Sequence, residues 1–208
     1  MKLDNVFYIN LESRQDRKQL IEQELRDLGW GYERYNAISN PIGALGCSHS
    51  HIDVITKAKE RDLDYVVVVE DDAFFLHKDF INSQIQKVFE SDLEYDVLLL
   101  AGNVRNPIVK NTDIEGIDNV YQVRICWAAT CYIVKKHYYD KLIDNFKEGI
   151  DLLTKTKDVE KYACDSWWMR LQEKDKWLII LPRTISQRAD YSDIENKYVD
   201  YRHLMCDI

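Results

Sequence analysis

The hydrophobic and polar positions of the chain alternate between strand-like runs and helix-like stripes. The first run, "NVFYIN" (residues 5–10), is apolar and typical of a strand. Ser13 and Asp16 follow it with the spacing of a capping box, which predicts a helix start. One face of that helix is formed by Leu20, Ile21, Leu25 and Leu28. Gly29 is expected to end it.

The same alternation continues along the chain and predicts a layered α/β fold. Strands are expected at residues 32–38, 64–69, 96–102 and 177–181. The stretch "PIGALGCSHSH" (41–51) is expected to be a loop feeding a helix. Further helices are expected at 80–89, 136–146 and 165–172. Residues 103–119 are predicted to form a long surface loop, and 120–125 and 129–134 a hairpin or mixed edge. No domain boundary is evident, so residues 1–208 are expected to form a single domain.

The most strand-like run of the chain ends in three consecutive carboxylates. Val66–Val69 leads directly into Glu70, Asp71 and Asp72. Burying these groups together costs several kcal/mol unless something neutralises them. Ligands of open α/β sheets sit at the carboxyl ends of the strands, and clustered carboxylates there favour Mg²⁺ or Mn²⁺. A solvated acidic turn is the alternative interpretation.

Two further stretches carry candidate chemistry. Arg14, Arg17 and Lys18 follow the first strand at the predicted start of a helix, where they suit phosphate oxygens. A solvated helix face is the alternative. In "GCSHSH" (46–51) the two histidines are two residues apart and would not share a helical face. A structural or hydrogen-bonding role is therefore favoured over metal ligation.

Composition narrows the class of protein. The 208 residues carry a formal net charge of −8, which argues against broad binding to nucleic acid or to a membrane surface. The five cysteines are odd in number and contain no C-x-x-C pair. They indicate reduced thiols rather than a disulfide framework or a zinc site. The first residues do not have the pattern of a signal peptide and no apolar run is long enough to span a bilayer, so a cytoplasmic location is expected.

The chain resembles glycosyltransferase family 25, which includes lipooligosaccharide and procollagen galactosyltransferases. The matching stretches occur in family order and cover residues 6 to about 195. They are "VFYINLESRQDRK", "YERYNAI", "GALGCSHSHIDVITKA", "YVVVVEDDAFF", "DVLLLAG", "ATCYIVKKHYYDKLI" and "QRADYSDIE". The resemblance implies a GT-A-like fold with a central, mostly parallel sheet flanked by helices. It also implies a nucleotide-sugar donor, an inverting transfer, and an E-D-D equivalent to the D-x-D metal motif.

The resemblance also implies roles for individual residues. Glu70 and Asp72 would hold the metal, with Asp72 the best candidate for direct ligation, and Asp71 would meet the donor ribose or sugar. The other expected donor-binding residues are Asn10, Arg14, Arg17, Ser50, His51, Gln187 and Arg188. Of these, Gln187 stands where many GT-A enzymes have a histidine as third metal ligand, and Arg188 would reach the diphosphate.

The chain departs from the family pattern at one loop. Related sequences often carry a glycine where this chain has Trp127 or Ala128, before "TCYIV".

Asp165 is the candidate catalytic base. It opens a predicted helix after "KYAC", where the resemblance implies the acidic catalytic residue. A plain N-cap is the alternative role. Trp167 and Trp168 follow it, and since neighbouring residues on a helix point in different directions, one of them is expected in the core and the other near an acceptor.

The expected function is a metal-dependent, inverting hexosyltransferase. Galactose or glucose would move from a UDP-sugar to a hydroxyl of a glycan or of a hydroxylysine-type acceptor, with Mn²⁺ or Mg²⁺ as cofactor and no nucleic-acid partner. One alternative is a nucleotidyltransferase, but "NLESRQDRK" lacks the glycine-rich loop usual there. The other is a non-catalytic module that binds carbohydrate or a protein partner on a transferase scaffold.

Overall fold

The computed structural model describes residues 2–105, 108–110, 116–195 and 197–206. In chain order its strands are β1 Val6–Asn10, β2 Tyr32–Asn36, β3 Tyr65–Glu70, β4 Ala73–Phe75, β5 Val97–Leu99, β6 Asn103–Arg105, β7 Val109–Lys110, β8 Val120–Gln122, β9 Ile125–Trp127, β10 Cys131–Lys135, β11 Trp177–Ile180, β12 Ile185–Gln187, β13 Asp190–Ser192 and β14 Lys197–Val199. Its α-helices are α1 Gln15–Asp27, α2 Gly43–Glu60, α3 Lys78–Glu90, α4 Tyr139–Thr156, α5 Val159–Tyr162, α6 Cys164–Trp167, α7 Met169–Gln172 and α8 Arg202–Met205. A 3₁₀ turn, Lys136–Tyr138, precedes α4.

The central sheet has the strand order β2-β1-β3-β10-β5-β11-β8-β7. β1 pairs in parallel with β2 and β3, and β5 pairs in parallel with β11. β10 lies antiparallel between β3 and β5, and β8 is antiparallel to β11 and β7. Six of these eight strands therefore run in the same direction. The predicted α/β class with a mostly parallel central sheet is confirmed.

Helices cover both faces of this sheet, and β3 is buried between them. Val66 and Val68 pack into one hydrophobic cluster, with Ile55 of α2 and Leu142 of α4. Val67 and Val69 pack into the other cluster, with α1 and α3. Because successive side chains of a strand point to opposite faces, Glu70 continues the side that faces α2.

Several local predictions need correction. The stretch expected to be a loop up to residue 51 is already helical from Gly43. Gly46 is a packing residue there, since a Cβ at this position would lie 2.3 Å from the carbonyl oxygen of Ile38. The capping box also does not form, because α1 begins after Arg14 without a side-chain cap. Leu20, expected in the buried stripe, is 43% exposed.

The second half of the chain differs in three respects. β10 is a central strand and not an edge, because it inserts between β3 and β5. The predicted surface loop 103–119 contains β6 and β7, and its residues 106–107 and 111–115 lie outside the described residues. The helix predicted at 165–172 is two short helices, α6 and α7. Within the described residues, no helix is both long and apolar enough to cross a membrane.

Candidate active site

The predicted site residues meet where two neighbouring parallel strands end. Ile9 pairs with Glu70 in the register of β1 and β3, so Asn10 follows beside Asp71. Asn10 is 1% exposed. Its Nδ2 donates to Asp71 Oδ2 at 2.7 Å and to the carbonyl oxygen of Arg14 at 3.0 Å, and its Oδ1 accepts from Arg34 Nε at 3.0 Å. Asn10 thus links the two strand ends to the start of α1.

Arg17 on α1 reaches over the carboxylates. Its Nη1 lies 3.1 Å from Asp71 Oδ1 and 3.5 Å from Asp72 Oδ2. Its Nε donates to Asp190 at 3.0 Å and its Nη2 to the carbonyl oxygen of Tyr191 at 2.8 Å. The guanidinium group therefore neutralises part of the charge at the strand end and ties it to the C-terminal segment.

Arg14 joins the same segment. It pairs with Asp16 at 2.8 Å, with Asp193 at 2.7 Å, and with Asp190, which it shares with Arg17. Arg14 and Arg17 are both largely buried, with side chains 14% and 11% exposed. Two arginines are thus held side by side, each on oxyanions of this chain.

Asp72 is the least compensated of the three carboxylates. Its Oδ1 is buried and has no hydrogen-bond partner. Burial and the nearby charges of Glu70 and Asp71 raise the pKa of Asp72 well above its usual range. Burial also raises the pKa of Asp71, although Asn10 and Arg17 oppose it. A bound divalent cation would compensate these charges, so the carboxylates fit the metal that the sequence suggests.

Glu70 points away from Arg17 and toward α2. Its Oε1 lies 3.5 Å from His51 Nε2 and 3.8 Å from Cys47 Sγ. Its Oε2 lies 3.5 Å from Gln187 Nε2. The structure thus brings His51 and Gln187 to Glu70, and His51 is fully buried there.

Asp165 lies on the same side as Glu70. Its Oδ2 accepts a hydrogen bond of 3.0 Å from the backbone N–H of Ala128. Burial raises the pKa of Asp165, and the charge of Glu70 adds to this effect. The N-cap interpretation is wrong, because Ala163 holds that position and Asp165 is inside α6.

The backbone of Ala128 adopts a conformation that suits the glycine that related sequences often carry here. Its φ is +73°, a left-handed conformation that favours glycine. The chain therefore accepts a strained alanine in the loop that holds Asp165.

The side chains of Ser50 and Arg188, both expected to bind the sugar donor, contact other parts of the protein. Ser50 is fully buried, and its hydroxyl donates to the carbonyl oxygen of Gly46 and accepts from the N–H of Ile38. Its neighbours make it a structural residue that fixes the chain before α2. Arg188 pairs with Glu24 at 2.8 Å, two helical turns beyond Arg17. Its guanidinium group also lies over the ring of Phe74. The backbone N–H of Arg188 donates to the carbonyl oxygen of Asp72 at 2.7 Å, so Arg188 lies next to the carboxylates while its side chain binds Glu24.

The structure also gives the positions of Trp167 and Trp168 and of His203, the last histidine of the chain. Trp168 is fully buried and contacts Tyr132 and Trp177, so it is the core member of the pair. Trp167 is half-buried and packs against Tyr162. His203 is exposed on α8.

Sequence reasoning missed three residues at this site. Asp190 binds both arginines across more than 170 positions of sequence, and only the fold brings it there. Cys47 and Cys164 lie beside Glu70 and His51 with their sulfur atoms 3.9 Å apart. The spacing of Cys47 and His51, one helical turn, was a signal for the α2 part of this group.

The fold and the site define an α/β protein with an acidic strand end faced by two arginines. By sequence, residues 41–158 match the profile of glycosyltransferase family 25, described as an LPS biosynthesis protein family. The match covers more than half of the chain, and the chain belongs to this family. It is thus a glycosyltransferase, a class of enzyme that transfers a sugar from a donor to an acceptor. The curated proteins contain no match to this chain.

Solved structures resemble the chain only distantly. A glycosyltransferase involved in glycosylation of the major capsid of PBCV-1 is 7% identical with a TM-score of 0.44, covering 86% of this chain and 93% of that one. A Drosophila galactosyltransferase in complex with manganese, UDP-Gal and xylobiose is 9% identical with a TM-score of 0.41, covering 97% and 72%. A cytidylyltransferase from Leptospira borgpetersenii is 14% identical with a TM-score of 0.41, covering 95% and 63%. At these scores the similarity carries no argument about function.

Proposed function

We propose that residues 1–208 form one glycosyltransferase domain that transfers a hexose, galactose or glucose, from a UDP-sugar to a hydroxyl group of a glycan or of a hydroxylysine-type acceptor. The donor lies at the ends of β1 and β3. The observation that carries the proposal is the unpartnered, buried Oδ1 of Asp72 in a chain of this family. Its other oxygen contacts Arg17, which shares Asp190 with Arg14.

The two arginines suit the diphosphate of the donor. Arg14 and Arg17 already hold the carboxylates of Asp190 and Asp193, which are oxyanions like a phosphate. Planar guanidinium groups bind such oxygens with two parallel hydrogen bonds. We assign the diphosphate to these arginines, and the ribose or sugar to Asp71 and Asn10.

A divalent cation completes this site in the proposal. Asp72 would hold Mn²⁺ or Mg²⁺, which supplies charge neutralisation to a nucleoside diphosphate leaving group when bound. Glu70 is not assigned to this ion, because its carboxylate faces His51 and Cys47. Gln187 stays beside Glu70 at the rim of the site.

Asp165 is the proposed general base of an inverting transfer. Its raised pKa suits a carboxylate that accepts a proton, since the best catalytic pKa lies nearer the working pH than that of a free aspartate. The N–H of Ala128 orients one oxygen, Oδ2, and the carboxylate would take the proton of the acceptor hydroxyl.

The test is calorimetric titration of the full chain with UDP, with and without Mn²⁺, followed by hydrolysis of UDP-galactose and UDP-glucose. We expect Mn²⁺-dependent UDP binding that Asp72→Asn abolishes. Asp140→Asn, on the exposed pair with Lys59, is the matched control and should bind as the parent does. Equal UDP affinity in the parent and Asp72→Asn would refute the assignment.

Two further assays of the same protein distinguish the proposed transferase from the alternative function classes. Release of pyrophosphate from a nucleoside triphosphate and a sugar 1-phosphate would identify a nucleotidyltransferase. Binding of UDP-sugars with neither hydrolysis nor transfer over long incubation would identify a non-catalytic module.

A further inference from the structure

A cluster of cysteine and histidine side chains lies on the α2 side of the site, apart from Arg14 and Arg17. Cys47 and His51 are one turn apart on α2, and Cys164 begins α6. One ligand atom of each residue lies within 4.8 Å of the others. Glu70 Oε1 borders the same space, 3.8 Å from Cys47 Sγ and 3.5 Å from His51 Nε2.

Three pairs of these atoms are spaced nearly as in a tetrahedral metal site. Zinc binds sulfur at about 2.3 Å and nitrogen or oxygen at about 2.0 Å, which sets tetrahedral edges of about 3.8 Å for S···S, about 3.5 Å for S···O and about 3.3 Å for N···O. The corresponding separations here are 3.9 Å between Cys47 and Cys164, 3.8 Å between Cys47 and Glu70, and 3.5 Å between His51 and Glu70. Each of these three separations agrees to within about 0.3 Å. The group whose ligand atoms all lie within 4.8 Å of one another comprises the two cysteines and the histidine, so Glu70 must move toward Cys164 to complete a tetrahedron.

The histidine is oriented for ligation. His51 is fully buried, yet its Nε2 makes no hydrogen bond and is aimed into the cluster. Its Nδ1 lies 2.7 Å from the hydroxyl oxygen of Tyr132. A metal-binding histidine commonly uses its second ring nitrogen to donate to an oxygen in this way. With the proton on Nδ1, the lone pair of Nε2 is available to a metal ion.

We propose that Cys47, His51 and Cys164 bind a structural Zn²⁺ ion, and that Glu70 Oε1, which borders Cys47 and His51, turns toward the ion as the fourth ligand. Two thiolates with one imidazole and one carboxylate favour zinc over the hard cations Mg²⁺ and Mn²⁺. Binding releases the two thiol protons to solvent, so the site carries a net charge of −1. The sequence-based expectation of no zinc site considered only cysteines close in sequence, whereas the fold brings together Cys47 and Cys164, which are 117 positions apart.

The proposed ion would stabilise the short helices beside the site. α5, α6 and α7 each have four residues, too few to be stable on their own. A zinc ion would tie α6 to α2 and to the end of β3. It would thereby fix Asp165, the neighbour of Cys164, beside the donor site. This role is separate from the cation assigned to Asp72.

The experiment measures metal content without any sugar donor. The full chain is freed of metal with a chelator under reducing conditions, then titrated with Zn²⁺ and separately with Co²⁺. We expect one tightly bound zinc per chain by mass spectrometry of the metal, and cobalt absorption bands typical of tetrahedral thiolate ligation. The cobalt spectrum of the parent chain tests the site even where a variant fails to fold.

Variants then locate the ion. Cys47→Ser and Cys164→Ser should lose stoichiometric zinc, whereas Cys131→Ser, at another buried cysteine, should keep it. Tyr132→Phe should weaken zinc binding by about 10- to 100-fold, the usual effect of losing an outer partner. Asp72→Asn should retain the zinc, even if it loses the cation of the donor site.

Three results would overturn the proposal. One is a folded, reduced parent chain that binds neither zinc nor cobalt. Another is zinc retained by both cysteine variants and lost by Asp72→Asn, which would place the ion among the carboxylates. The third is a Cys47–Cys164 disulfide in protein purified under reducing conditions. None of these depends on UDP binding, so failure here is distinguishable from failure of the proposed transferase function.

Discussion

Asp72→Asn is expected to stabilise the metal-free protein although it removes a functional group. The substitution keeps the shape of the side chain and deletes one of three adjacent negative charges. A buried polar atom without a partner costs about 1–3 kcal/mol, and more when it is charged, and Asp72 Oδ1 is such an atom. Asparagine keeps the neutral part of this cost and removes the part due to the charge, which burial and the carboxylates of Glu70 and Asp71 oppose. Its contact with Arg17 is long, 3.5 Å, so little attraction is lost. We therefore expect the free energy of unfolding to rise by about 1–2 kcal/mol.

The assay is thermal and urea unfolding of protein treated with a chelator. For a chain of this length 1 kcal/mol corresponds to about 2–4 °C in Tm. A carboxyl group whose pKa is raised by folding costs stability as the pH rises above its unfolded pKa of about 3.9. The gain from Asp72→Asn should therefore be small near pH 3 and grow toward neutral pH. Mn²⁺ should raise the Tm of the parent and leave that of the variant unchanged.

Asp190→Asn is the matched control, and we expect it to lower the free energy of unfolding rather than raise it. Its carboxylate pairs with both arginines, and these contacts lower its pKa against the effect of burial. Because the side chain is 34% exposed, the expected loss is only about 1 kcal/mol. If Asp72→Asn destabilised the metal-free protein as Asp190→Asn does, the view of Asp72 as an uncompensated charge would be wrong.

Three further substitutions test the scaffold of the site, each by urea unfolding. Ala128→Gly should stabilise the protein by about 1 kcal/mol, since it relieves a left-handed alanine, and a loss of stability would contradict the strain. Gly46→Ala should destabilise it by about 1–3 kcal/mol, because the new Cβ meets the Ile38 carbonyl oxygen at 2.3 Å. Arg17→Met should cost about 3 kcal/mol, because it leaves buried carboxylates unpaired. Adding Asp72→Asn to Arg17→Met should restore part of that loss, and strict additivity would contradict the coupling.

Patterns that depend on neighbouring residues predicted much of the fold. The apolar runs that form β1, β3 and β11 are short and are flanked by polar residues. α1 ends just before Gly29, whose left-handed φ of +72° fits the predicted helix end. The strand-end rule pointed to the three carboxylates, and the family resemblance pointed to Asn10. The structure places Asn10 against Asp71, with a hydrogen bond of 2.7 Å.

Features that depend on distant contacts could not be predicted in this way. β10 looks like an edge strand in sequence, and only its pairing with β3 and β5 places it in the middle of the sheet. The local sequence does not identify Asp190 or Cys164 as site residues. Only the fold brings them close to the end of β3. Gly46 resembles a loop glycine, although its missing side chain serves helix packing.

The alternation of side chains at the end of β3 explains how the negative charges of Glu70, Asp71 and Asp72 are kept apart. Successive side chains of β3 point to opposite faces, so Glu70 turns to α2 and Asp71 turns to α1. Asp71 is then compensated by Asn10 and Arg17, and Glu70 lies beside His51. Only Asp72, beyond the strand, keeps an unpaired oxygen. Three adjacent carboxylates can thus be buried together because Glu70 and Asp71 have separate partners. Asp72, which keeps an unpaired oxygen, is the one we assign to the donor's metal.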